Sequence, residues 1–186
     1  MHCNTLALFA ALVVAASGAP TSNLKRQSVC PLQALPSIAV LPTADSSARW
    51  NVFGNPKGIV QAGELGWFVT KNGPGNNEKF IAKVGADANL FSFQAFGGSQ
   101  QVGISGSKLL ASANVGAATF KVDCGGGCNT FATGNTRAAD GCTFELTDGT
   151  NGVGQCISFE GENTGVQLQS CEAGNSGQTF TIFSTN

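Results

Sequence analysis

Three sets of short apolar segments, each set ending near a phenylalanine, constrain this chain more than any other feature. The segments are rich in aliphatic and aromatic residues and are bounded by glycine or asparagine, the pattern of short strands between turns. The first set occupies 49–53, 58–62, 67–70 and 79–84, and the second 90–95, 101–105, 108–112 and 119–123. The third occupies 142–146, 155–159, 166–171 and 179–183. Bulky anchors open and close each set: Trp50 and Phe80, Phe91 and Phe120, Phe144 and Phe180, separated by 30, 29 and 36 residues. The closing stretches match too, as GNNEKF at 75–80, GAATF at 116–120 and GNSGQTF at 174–180. A period near forty residues calls for a repeat architecture. No heptad or sustained helical spacing is present, so the class is all-β. The expectation is twelve short strands in three pseudo-repeats closing as a threefold barrel, with the six anchors meeting on its axis. A β-sandwich is the alternative.

The chain has 186 residues, the length of one domain at roughly 100–200 residues each. Its start reads as a leader. Residues 6–16, LALFAALVVAA, form an apolar run far shorter than the roughly 20 residues that a membrane-spanning helix needs. Small residues follow, and a signal-peptidase cut is expected at Ala19, making 1–19 a signal peptide. The dibasic pair Lys25-Arg26 resembles the site cut by kexin-type proteases of the fungal secretory route. It would end a pro-segment, 20–26. An N-terminal extension, 27–48, would then precede a domain spanning 49–186. Losing Lys25 and Arg26 moves the formal net charge from −1 to −3. The processed chain keeps six of the seven cysteines and has neither histidine nor methionine. An even cysteine count in a secreted chain reads as three disulfides.

In the third set, Cys156-Ile-Ser-Phe, Val166-Gln-Leu-Gln-Ser-Cys171 and Gln178-Thr-Phe180 are similar to the repeat of ricin-B-type lectins. In the second, Phe93, Lys108-Leu-Leu-Ala-Ser112 and Phe120 look more like a fascin repeat. Over residues 49–183 the chain thus resembles the β-trefoil superfamily, in keeping with a small secreted protein of a filamentous fungus. The resemblance implies a disulfide-stabilised β-trefoil, a Cys156–Cys171 bridge and a lectin-like role. The sequence departs from the lectin pattern at Ser158, where that pattern has aspartate, and at Phe180, where it has tryptophan.

The spacing breaks once. Phe80 to Phe91 is 11 residues, but Phe120 to Phe144 is 24. The longer linker holds Cys124-Gly-Gly-Gly-Cys128 and ends at Cys142. Fifteen pairings are formally open for six cysteines. Besides Cys156–Cys171, the expectation is Cys128–Cys142, closing a loop, and Cys30–Cys124. Cys-x3-Cys without histidine, in an oxidising compartment, does not point to a metal. The glycine run reads as a flexible hairpin between cross-links. No cofactor is expected.

Without histidine, neither a Ser-His-Asp nor a Cys-His arrangement can be built. A glycosidase needs only two carboxylates, and Glu160 and Glu162 stand two apart. That hydrolase is the weakest of three readings. The strongest is a secreted, non-enzymatic binding protein that displays loops to a glycan or an extracellular protein such as a host or cell-wall partner. Its candidate contacts are Trp67, Asn72, Asn76, Asn77, Arg137, Glu160, Glu162 and Asn163. Between the two lies a protease inhibitor that presents Arg137-Ala138 in a disulfide-closed loop. The charge balance argues against nucleic acid as a partner. No membrane span is expected, and the protein is read as an extracellular monomer.

Overall fold

The computed structural model describes residues 29–52, 63–69, 75–129, 131–161 and 164–185, with the backbone alone over 63–69. The expected processing positions Ala19, Lys25 and Arg26 and the segment at 58–62 lie outside the described residues. So do Asn72, Glu162 and Asn163 and the side chain of Trp67.

Among the described residues the chain forms twelve strands and three short 3₁₀ turns. The strands are β1 (Ser37–Pro42), β2 (Ala48–Val52), β3 (Gly63–Val69), β4 (Phe80–Val84), β5 (Leu90–Ala95) and β6 (Gln101–Ser105). They continue as β7 (Lys108–Ser112), β8 (Phe120–Cys124), β9 (Thr136–Thr147), β10 (Gly152–Ser158), β11 (Gln167–Ser170) and β12 (Phe180–Thr185). Nine of them, in the order β11-β10-β9-β12-β1-β4-β5-β6-β7, form a closed antiparallel barrel, because Gln167 of β11 pairs with Lys108 of β7. β8 is an extra strand that bridges β5 and β9, and the β2–β3 hairpin joins at β7.

This topology corrects the expected β-trefoil of twelve short strands in three sets, and its β-sandwich alternative. The strands share one closed hydrogen-bonded network, and the sets drawn from Arg49 onward do not delimit it. Two segments account for much of the difference. Residues 37–42 lie within the stretch read as an N-terminal extension, yet they form β1, between β12 and β4. All six are buried, so no polar face alternates along them and the two-residue signal of a strand is absent. Residues 136–141 lie within the stretch read as linker. They are the first half of β9, which is 12 residues long, and they pair with β12 while the second half pairs with β8.

The anchors do meet. Trp50, Phe80, Phe91, Phe120, Phe144 and Phe180 are fully buried in one core. The Trp50 ring lies 5.8 Å from Phe80, 5.1 Å from Phe144 and 6.3 Å from Phe180, and Phe93 adds a contact at 5.9 Å. The Phe80 and Phe93 contacts are nearly perpendicular, the edge-to-face arrangement that the ring quadrupole favours.

The three disulfides are Cys30–Cys128, Cys124–Cys142 and Cys156–Cys171. The last is as expected, and the other two exchange partners relative to expectation. Register explains the exchange. Cys124 and Cys142 face each other across β8 and β9. Cys128 is carried beyond β8, beside Ala139, where Cys30 reaches it.

Candidate functional site

Residues 125–135 leave β8 and return as β9, anchored at their base by Cys124–Cys142 and near their middle by Cys30–Cys128. The glycine run is not a slack hairpin. It lies along the start of β9, with Gly125 N donating to Gly141 O at 3.2 Å and Gly126 N to Asp140 O at 3.0 Å. A Cβ on Gly126 would sit 2.8 Å from the Asp140 carbonyl oxygen, so only glycine permits this approach. Gly127, at φ +87°, occupies the left-handed region that glycine enters without steric cost. Asn129 N then donates to Ala138 O at 2.7 Å.

Between this ribbon and β9 lies an open cleft of about 380 Å³, lined by Gly126, Gly127, Asn129, Arg137 and Asp140 among others. Asp140 is its fixed point. Its Oδ1 accepts from Thr181 Oγ1 at 2.7 Å and Gly141 N at 3.1 Å, and its Oδ2 accepts from Arg137 Nη1 at 3.1 Å. The Arg137 side chain remains 63% exposed, and a guanidinium carries five donors. Asn129 Oδ1 accepts from Phe131 N at 3.1 Å, which leaves its amide nitrogen as a donor. Phe131 itself is 89% exposed. A ring so fully in water, on a loop braced by two disulfides, is the most exposed large apolar side chain among the described residues.

Sequence reasoning singled out Arg137 but missed Phe131, Asn129 and Asp140 as site residues. The available signal was a single aromatic in the polar stretch NTFATGN, with no apolar neighbour at strand spacing. The other described candidates fall elsewhere. Asn76 is exposed in the 3₁₀ turn Asn76–Glu78. Asn77 Nδ2 donates to Asn51 Oδ1 at 2.9 Å, so that side chain braces the fold. Glu160 is exposed and accepts from Gln169 Nε2, while Gln169 Oε1 accepts from Ser158 Oγ at 3.3 Å. Arg137 thus lies in β9, Asn77 in the 3₁₀ turn before β4 and Glu160 beyond the end of β10, in three separate elements. Among the described residues no three His, Cys, Asp or Glu groups are placed to share a metal ion. No helix there is long and apolar enough to cross a membrane. With three disulfides, the chain is compatible with an extracellular protein.

No family model matches this chain, and no curated protein is similar to it in sequence. Solved structures are similar in fold. A mosquitocidal holotoxin matches at a TM-score of 0.58 and 10% identity, over 82% of this chain and 17% of the toxin chain. The present chain thus spans under a fifth of the toxin's length. A designed 3-fold symmetric protein, ThreeFoil, matches at 0.52 and 8% identity, over 79% of this chain and 97% of its own. These are likenesses of fold alone, and they transfer no residue from one site to another.

Proposed function

We propose that this is a secreted, non-enzymatic binding protein that takes a glycan in the cleft beside β9. The observation that carries the reading is a fully exposed aromatic, Phe131, on the doubly cross-linked segment after β8, its backbone N bonded to Asn129, which lines the cleft together with Arg137 and Asp140 of β9. A sugar offers an apolar C–H face for the ring and hydroxyls for the donors and the carboxylate. Pre-organisation by the disulfides lowers the ordering cost of binding. The likeness to one stretch of a mosquitocidal toxin is in keeping with an accessory binding unit.

The inhibitor reading has less support from the geometry. Arg137 lies within β9 opposite Phe183, and Ala138 is buried with its carbonyl engaged by Asn129. A protease cleft requires an accessible, extended bond at that position.

A glycan array with the secreted protein, followed by titration of the best ligand, tests the proposal. Burying the Phe131 ring is worth about 1.5–3 kcal/mol, so Phe131→Ala should weaken binding at least roughly tenfold while leaving the thermal midpoint unchanged. Glycan binding that is indifferent to both Phe131→Ala and Asp140→Asn would remove the cleft from consideration.

A further inference from the structure

We infer that the glycan taken by the cleft beside β9 is an acidic one, whose carboxylate or sulfate group meets Arg137. The inference rests on the glycan reading of that cleft and adds the chemical class of the ligand. It follows from which hydrogen-bonding groups of the cleft are already engaged.

The acceptors are largely spent. Asp140 Oδ1 takes Thr181 Oγ1 at 2.7 Å and Gly141 N at 3.1 Å, and its Oδ2 takes Arg137 Nη1 at 3.1 Å. Asn129 Oδ1 takes Phe131 N at 3.1 Å. The backbone carbonyls of Ala138, Asp140 and Gly141 take Asn129 N, Gly126 N and Gly125 N. The donors are not spent. Among the described residues the only hydrogen bond from the Arg137 side chain is the one from Nη1, and that side chain is 63% exposed. Asn129 Nδ2 is likewise open.

A sugar hydroxyl brings a proton together with its lone pairs, so each one that docks calls on an acceptor as well as a donor. An ionised carboxylate or sulfate brings acceptors alone. It matches a cleft with donors to spare, and with a guanidinium it forms paired, charge-assisted bonds.

The guanidinium is also held ready. Gly141, at φ +59°, donates its N–H to the carboxylate of the residue before it, and Thr181 reaches the same carboxylate from β12. Asp140, fixed in this way, tethers Nη1 and leaves the Nε–Nη2 edge of the planar fork for a ligand. Asp140 offsets the guanidinium charge but does not occupy that edge. Holding the side chain in place lowers the ordering cost of binding. Room is available beside it, because a Cβ on Gly127 would meet nothing within 4 Å. The formal net charge of −1 gives the chain no general attraction for polyanions, so a preference for acidic ligands has to arise locally.

The test uses matched oligosaccharides, titrated by calorimetry against the secreted protein with its disulfides intact. Uronate and sialic acid oligosaccharides are set against their carboxyl-reduced forms, and sulfated galactans against their desulfated forms. At least one acidic member should bind roughly tenfold or more tightly than its neutral counterpart, the worth of a hydrogen bond to a charged group. The pair that does so tells carboxylate from sulfate. Arg137→Lys keeps the charge but loses the fork, and should remove most of that preference with the thermal midpoint unchanged. Neutral members that bind as tightly as acidic ones, with a loss on Phe131→Ala, would overturn the acidic class and leave the glycan reading standing. No binding by any member would overturn both. An acidic preference that survives both Arg137→Lys and Arg137→Ala would overturn the assignment to Arg137. The matched comparison needs only the unmutated protein, so it decides the ligand class even if a variant fails to fold.

Discussion

Two corners of the barrel solve one problem with different chemistry. Each is a 3₁₀ turn that delivers a phenylalanine to the core: Asn76–Glu78 leads to Phe80, and Ser176–Gln178 leads to Phe180. Two residues before each ring stands a polar side chain that is only 2% exposed, Glu78 in one and Gln178 in the other. The amide of Gln178 both accepts and donates, taking Glu172 N at 2.8 Å and giving to Ser170 O at 2.9 Å. Backbone alone satisfies it. The Glu78 carboxylate, as an ion, can only accept. It takes Gly75 N at 2.9 Å and Asn51 Nδ2 at 3.1 Å, with Arg49 Nε 4.0 Å away. A charge at that place therefore recruits two side chains from β2, and Asn77 extends the network through Asn51. The corner with the carboxylate is tied to a neighbouring hairpin, and the corner with the amide is self-contained.

If the corners are equivalent as core anchors, Phe80→Ala and Phe180→Ala should cost alike, about 4 kcal/mol each in chemical denaturation with the disulfides intact. A large inequality would show that one corner dominates the barrel. Next in size, Glu78→Ala should cost about 3 kcal/mol, because it leaves the Arg49 charge and the Asn51 amide without their carboxylate. Pairing it with Arg49→Met should recover part of that loss. Exchange of the two chemistries is the third test. Gln178→Glu sets a carboxylate against the Ser170 carbonyl and should cost about 2 kcal/mol from the unmade bond. If it were neutral, the backbone match at that corner would not be what selects an amide.

These corners also show what the sequence could disclose. The recurrent glycine-to-phenylalanine endings were visible, and so was the set of anchors, because a bulky apolar residue at a repeated place is a one-dimensional signal. Their shared core follows from it. The partner of a residue is a different matter. That Glu78 needs Arg49 and Asn51 depends on β2 lying beside the turn, which no local pattern states. β1 was hidden because a strand buried on both faces has no alternation, and the first half of β9 because glycines and cysteines around it read as loop. The exchange of Cys124 and Cys128 is a matter of register, four residues apart in the chain but on opposite sides of the end of a strand. Phe131 was passed over for a similar reason. A lone aromatic is read as core until a fold shows that no core reaches it.

The smallest effect applies the same donor rule to two exposed-side aspartates of the β8–β9–β10 region. Asp148 accepts from Asn151 N and Thr150 N at 2.8 and 3.0 Å, and those bonds lower its pKa below the ordinary aspartate value. Asp123 is raised instead, chiefly by burial, with Lys121 opposing the shift. The signs differ accordingly. The folded state binds its proton less tightly at Asp148 than the unfolded chain does, so this group's contribution to stability is present above the ordinary value and is lost as pH falls through the lowered one. At Asp123 the folded state holds the proton more tightly, so stability declines as pH rises from the ordinary value through the raised one. Carboxyl-detected NMR titration of the two residues should give midpoints on opposite sides of a free aspartate. Replacing the donors' acceptor, as in Asp148→Asn, should flatten the acid limb of the stability curve and leave the Asp123 midpoint where it was. Midpoints on the same side would mean that backbone donors do not govern carboxylates on this surface, and the account of Glu78 would weaken with it.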